Sequence, residues 1–127
     1  MIALDTSSLV HYLAGSRGKD VEAVDIALAQ SVGCLPPVVL SEILSDPMLP
    51  PRLEEIVLQI PTLDVKTGFW ERAGRLRARI IRAGHKAKLA DTLIAQSCVD
   101  HDVALVTRDG DFRHFAPEGL RLLPGPD

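Results

Sequence analysis

With only two cysteines, Cys34 and Cys98, the chain is too poor in thiols for a disulfide-stapled fold, and their separation is not a zinc-finger spacing. They read as two reduced, semi-buried thiols of a cytoplasmic protein. No apolar run approaches the ~20 residues needed to cross a bilayer. The amino terminus, Met1-Ile2-Ala3-Leu4-Asp5, has no basic region ahead of an apolar stretch. Neither a secretory leader nor a membrane partner is therefore expected. Aromatic side chains are scarce: Trp70, Tyr12 and three phenylalanines are the whole supply. They are expected in the core, leaving little for stacking on nucleic-acid bases. His11, His85, His101 and His114 have no mutual spacing suited to a metal or a nucleophile–base pair, and read as surface or capping residues. Ser7 and Ser8 lack a Gly-x-Ser-x-Gly elbow, and there is no Walker A loop.

What is present is ordinary globular composition, 46% hydrophobic and 24% charged, which excludes disorder and allows one sizeable core in 127 residues. Short apolar runs at residues 2–4, 32–35, 62–65 and 103–106, with a weaker one at 120–123, read as strands. Helical patterns fill the intervals: one after Asp5, then residues 21–29, 37–44, 49–58, 68–83 and 89–99, with a tail from 124 onward. Strands alternating with helices predict an α/β fold, a three-layer α/β/α sandwich around a mostly parallel sheet of four to five strands. No linker or repeat divides the chain, so residues 1–127 form a single domain.

In open α/β sheets, ligands bind beyond the carboxyl ends of the strands. Asp5 directly follows the first strand, Asp109 closely follows the 103–106 strand, and Asp111 lies two residues further on. A lone acid at a strand end also serves as a helix cap, although Thr6, Ser7 and Ser8 could fill that role. Asp91 and Glu42 are more informative, because each interrupts an apolar helix face. Asp91 shares its face with Ile94, Ala95 and Cys98, and Glu42 follows Val38 and Val39. A carboxylate directed toward a core needs a salt-bridge partner, for which Lys86, Lys88 or Arg108 are available, or a metal ion. As a set, Asp5, Glu42, Asp91 and Asp109 would repel one another unless cations compensated. Oxygen donors without a His or Cys ligand set favour Mg²⁺ or Mn²⁺ over Zn²⁺.

The segments Ile-Ala-Leu-Asp5-Thr6-Ser7-Ser8, Leu40-Ser41-Glu42-Ile-Leu, Leu89-Ala90-Asp91-Thr92 and Thr107-Arg108-Asp109-Gly110-Asp111-Phe112 fall in an order and spacing that resembles PIN-domain nucleases. Within that superfamily the chain is similar to the VapC-type ribonuclease toxins of prokaryotic toxin–antitoxin systems, over essentially its whole length. The resemblance implies a metal-dependent endoribonuclease, commonly a homodimer, neutralised by a cognate antitoxin. It further implies Asp5, Glu42, Asp91 and Asp109 as the catalytic quartet, and Asp5, Asp91, Asp109 and Asp111 as metal residues, Asp111 at an additional acidic position that binds the ion directly or through water. Ser7 and Thr107 match polar positions that orient the acids.

A net charge of −3 argues at first against an RNA partner, but its distribution does not. Arg72, Arg75, Arg77, Arg79, Arg82, Lys86 and Lys88 are half of the 14 basic residues, with no acid among them. Arg75, Arg79, Arg82 and Lys86 recur at helical intervals as one stripe suited to positioning an RNA backbone, or to facing solvent. Leu9, Tyr12, Leu13 and Val24 are candidates for an exposed two-fold interface.

Three rivals share parts of the pattern. A receiver-like signalling domain needs an acidic pair after the first strand and a phospho-accepting Asp after a middle one, whereas Asp64 falls inside its expected strand. A haloacid-dehalogenase-like phosphatase needs an Asp where Ser7 stands. The third rival is a catalytically silent PIN binding module, which metal-dependent RNA cleavage would exclude.

Overall fold

A computed structural model describes residues 1–125, so the expected tail lies partly outside the described residues. Strands β1 (Ile2–Leu4), β2 (Gly33–Cys34), β3 (Ala104–Val106) and β4 (Leu122–Leu123) form one sheet in the order β2-β1-β3-β4, with every neighbouring pair parallel. β1 and β3 are its centre, and Ala3, Leu4, Leu105 and Val106 are completely buried there. Covered on both faces, such strands carry unbroken apolar runs, which is why these two are the plainest in the sequence.

The helices are α1 (Thr6–Leu13), α2 (Lys19–Ala29), α3 (Pro37–Leu44), α4 (Pro51–Leu58), α5 (Phe69–Arg82) and α6 (Leu89–His101); a 3-10 helix, Gly110–Glu118, joins β3 to β4. From β1 the chain crosses to β2 in one direction, through α1 and α2. From β2 it crosses back over β1 to β3, and on to β4. Right-handed crossovers running in opposite directions place their helices on opposite faces of a sheet. The packing agrees: α1 rests on α2, which lies against β2 and β3, while α5 and α6 pack together and against the 3-10 helix. The result is the expected α/β/α sandwich. Its direction reverses between β1 and β3, and the carboxyl ends of strands at such a reversal are where ligands bind in open α/β sheets.

Several expectations change. Residues 62–65 form no strand; Leu35 and Thr62 make one parallel bridge, flanked by Leu35 N–H to Pro61 O at 2.8 Å and Leu63 N–H to Leu35 O at 2.9 Å. Pro61 has no N–H to give, and Thr62, Asp64 and Val65 are exposed, so only Leu63 has apolar area to bury. The 3-10 helix has no counterpart in the sequence reading. Phe112 and Phe115, three residues apart and both buried, suit its three-residue turn. Trp70, expected in the core, is 62% exposed, while Cys34 and Cys98 are fully rather than partly buried.

The expected two-fold interface is also altered. Leu9 and Val24 are completely buried, because they are the inward residues where α1 meets α2, and they belong to the core. Val10 and Ile26 are the exposed apolar residues of these helices. Leu9→Ala should therefore cost about 3 kcal/mol in urea unfolding, whereas Val10→Ala should stay within about 0.5 kcal/mol. Equal effects would place Leu9 outside the core.

Candidate functional site

The Asp5 amide donates to Val106 O at 2.9 Å, tying the residue after β1 to the last residue of β3. Asp5 stands at the N-cap of α1, yet its side chain makes no capping hydrogen bond. Instead Oδ2 accepts the Ser7 hydroxyl at 2.7 Å and the Thr107 hydroxyl at 2.8 Å. The capping role that a lone strand-end acid usually plays is thus absent, and a carboxylate only 4% exposed is aimed by two hydroxyls. Thr107 Oγ1 also accepts the Asp109 amide at 3.0 Å, and Asp109 Oδ1 accepts the Asp111 amide at 2.9 Å. One threonine hydroxyl therefore links the two strand-end acids.

Asp91 enters from the first turn of α6. This helix is enclosed on most sides, burying Thr92, Gln96 and Ser97 as well as Ile94, Ala95 and Cys98. Asp91 stays half-buried in that first turn, while Ile94 and Ala95 of the same face are buried. Glu42 differs from its expected setting. It is exposed rather than turned toward a core, because α3 buries only Val39 and Ile43. Its Oε1 accepts the Thr6 hydroxyl at 2.7 Å, a contact to α1 that local pattern does not reveal.

The acids act on one another. Burial, followed by the charges of Asp109, Asp5 and Glu42, pushes the Asp91 carboxyl up to about 6, against a smaller opposing pull from Lys88. Lys88 thus offsets the acids in part, by more than Glu42 adds, and Arg108 is engaged by Asp20 instead. Asp111 is exposed; its amide supports Asp109, and its charge reaches His114. Among the described residues no three His, Cys, Asp or Glu side chains form a ready-made metal cage. The donor chemistry nevertheless fits a hard divalent cation: the acids offer oxygen only, and a cation among them would offset both the burial and the repulsion that raise Asp91.

The basic stripe is less uniform than its spacing implies. α5 ends at Arg82, with Gly84 in the left-handed region at φ +90°, so Lys86 belongs to the following loop and not to the helix. Arg79 pairs with Glu118 of the 3-10 helix at 3.2 Å, a matching acid from a segment remote in sequence. Arg72 grips Asp100 with two hydrogen bonds, at 3.1 and 2.6 Å. Arg77 donates to Ala87 O at 2.7 Å. Arg75, Arg82 and Lys86 are exposed. His85 and His114, without recognisable spacing in the sequence, stack with ring centroids 4.0 Å apart, joining that loop to the 3-10 helix.

The Asp91 shift has a stability consequence with a definite sign. Its ordinary value is 3.8, so the folded state holds this proton more tightly than the unfolded chain does. No penalty exists when both states are protonated; it grows from about pH 4 to 6 and is complete above. For a half-buried, solvent-screened group it amounts to about 2 kcal/mol. Without metal, Asp91→Asn should match the wild type at pH 4 and melt a few degrees higher at pH 7.5. Equal melting temperatures at both pH values would mean that the acids do not interact.

The sequence matches the PIN domain family over residues 2–117. No curated protein matched it. Among solved structures, VapBC2 from Rickettsia felis, bound to a DNA fragment from its promoter, superposes with a TM-score of 0.74 at 20% identity, covering 96% of this chain and 97% of that one. DNA-bound VapBC from Salmonella typhimurium gives 0.70 at 21%, covering 96% and 97%. VapBC-5 from Mycobacterium tuberculosis, a member of the VapBC family of toxin–antitoxin systems, gives 0.63 at 18%, covering 95% and 94%. At such identities the structural likeness speaks for the fold alone, whereas the family match runs through all four acid-bearing segments. By that match and by its architecture, the chain belongs to the PIN-domain family.

Proposed function

We propose that this protein is a divalent-cation-dependent endoribonuclease and the toxin of a toxin–antitoxin pair. The observation that carries this reading is the gathering of Asp5, Glu42, Asp91 and Asp109 at the reversal point of the sheet, where burial first, and then the charges of Asp109 and Asp5, push Asp91 up to about 6. Structural acids are normally paired with cations; these four are gathered with only Lys88 acting against their repulsion at Asp91. In this proposal Asp5, Asp91 and Asp109 hold Mg²⁺ or Mn²⁺, with Asp111 beside them. Ser7 and Thr107 fix the Asp5 carboxylate, and Glu42, held by Thr6, closes the acidic quartet. Bound there, the ion would offset the cluster's charge and acidify the water that attacks an RNA phosphodiester.

Arg75, Arg82 and Lys86 are exposed and suited to phosphates, with Arg79 shared between this stripe and Glu118. A small protein antitoxin and a second copy of the chain complete the proposed set of partners. The antitoxin is supported by the VapBC identity of the structural neighbours. Among the described residues no helix is long and apolar enough to cross a membrane.

The purified protein should cut RNA internally with Mg²⁺ or Mn²⁺, stop with EDTA, and leave 5′-phosphate and 3′-hydroxyl ends. Asp5→Asn should lower cleavage by orders of magnitude while keeping its metal-free melting temperature, since an amide oxygen can still accept from Ser7 and Thr107. Mg²⁺ should raise the melting temperature of the wild type more than that of the variant. Cleavage that survives EDTA, or ends in 2′,3′-cyclic phosphate, would refute this chemistry; a wild type that cuts no RNA with either ion would favour a silent binding module.

Binding to RNA offers a separate measurement. Arg75→Ala with Arg82→Ala should flatten the salt dependence of RNA affinity by about one unit of log–log slope for each phosphate no longer neutralised. An unchanged slope would assign these side chains to solvent.

A further inference from the structure

Outside the acid cluster Asp20 and Asp100 are both strongly engaged carboxylates, and Asp20 is the one tied to the segments that carry the strand-end acids. Asp20, in the first turn of α2, is 6% exposed. Its Oδ2 accepts the Ser8 hydroxyl at 2.8 Å and Arg108 Nε at 2.8 Å, while Oδ1 accepts Arg108 Nη2 at 3.1 Å. Burial works against its ionisation, yet the hydrogen bonds from Arg108 and Ser8 and the guanidinium charge outweigh that and hold its pKa below the usual range. Arg108 Nη2 also reaches Arg17 O at 3.3 Å. The chain passes this pair at Gly18, with φ +146°, where an added Cβ would stand 2.7 Å from Asp20 Oδ1 and 3.1 Å from Arg108 Nη2. Only glycine allows so close an approach in that conformation.

The two partners of Asp20 are not arbitrary. Ser8 sits in the first turn of α1, three residues after Asp5. Arg108 lies between Thr107, which holds Asp5, and Asp109. One buried carboxylate therefore grips both chain segments that present the strand-end acids. Metal-free, those acids push each other apart; the Thr107 hydroxyl links Asp5 to the Asp109 amide, and the Asp20–Arg108 pair is a second, charged restraint on the same loop.

We propose that Asp20 and Arg108 are positioning residues, an ion-paired brace that holds the Asp5 and Asp109 segments together so that a divalent cation meets its ligands preassembled. This rests on the proposed cation site. The fork geometry makes Arg108 difficult to replace, because a lysine supplies charge without two parallel donors.

The test is Mn²⁺ affinity, read by water-proton relaxation in the absence of RNA. It uses the wild type, Arg108→Lys, Arg108→Gln and Asp20→Asn, each below its own melting transition. Arg121→Ala, which removes an exposed pair with Asp102, is the control. Losing the brace should weaken Mn²⁺ binding by about tenfold in Arg108→Gln and Asp20→Asn. Arg108→Lys should fall between them and the wild type, with Arg121→Ala unchanged. If Asp20→Asn does not fold, the two Arg108 variants decide. Variants that melt lower yet bind Mn²⁺ as the wild type does would make the pair a stabilising contact only and overturn the brace. A wild type that binds no Mn²⁺ would overturn the cation site, and the brace with it.

Discussion

Carboxylates crowded at the carboxyl ends of β1 and β3 repel one another, and the surrounding protein has to hold that repulsion in place. The central pair of strands does so first. Because β1 and β3 are adjacent and in register from Ile2–Ala104 to Leu4–Val106, the residues that follow them are forced into proximity. The Asp5 amide is still bonded to Val106 O as the chain leaves the sheet. The strands are short, but they are buried on both faces, so their ends are fixed by packing rather than by length.

Around this frame the side chains divide into those that restrain the acids and those that charge them. Ser7, Thr107 and the Asp111 amide restrain by hydrogen bonding, and each occupies a carboxylate lone pair without cancelling the charge. Thr6 does the same for Glu42 at the rim. Arg108, next to Asp109 in the chain, is spent on Asp20. Lys88 remains as the counter-charge that Asp91 feels, but burial first, and then the charges of Asp109 and Asp5, outweigh it and hold Asp91 well above its ordinary value. Such an imbalance costs stability in the metal-free state and creates the demand for a cation on which the proposed activity depends.

Exposed features follow a different logic from the one their spacing implies. α5 presents arginines on much of its surface, but a segment more than thirty residues away supplies Glu118 to one of them. His85 and His114 meet by the same kind of closure, through the docking of the 3-10 helix. Trp70 lies on the exposed side of α5 while Phe69 beside it turns inward, since successive residues point about 100° apart around a helix.

Much of the architecture was legible in the sequence, because apolar runs and helical periodicity are local properties and burial acts on them directly. The acids Asp5, Asp91 and Asp109 could be singled out in the same way, as charges at strand ends or on apolar faces. Where the reading failed, the deciding contact was remote. The expected strand at residues 62–65 shrank to one bridge for want of an inward face and a donor at Pro61. Leu9 and Val24 became core because α1 and α2 close on each other, and Glu42 lies exposed because α3 buries its other side. The hydroxyl of Thr107 on Asp5, 102 positions away, and the guanidinium of Arg108 on Asp20 leave no periodic trace. Sequence alone determined which segments are strands and helices and where acids interrupt them; only the tertiary structure decided which charges meet, because Coulomb and hydrogen-bond energies depend on distances in space that chain separation does not encode.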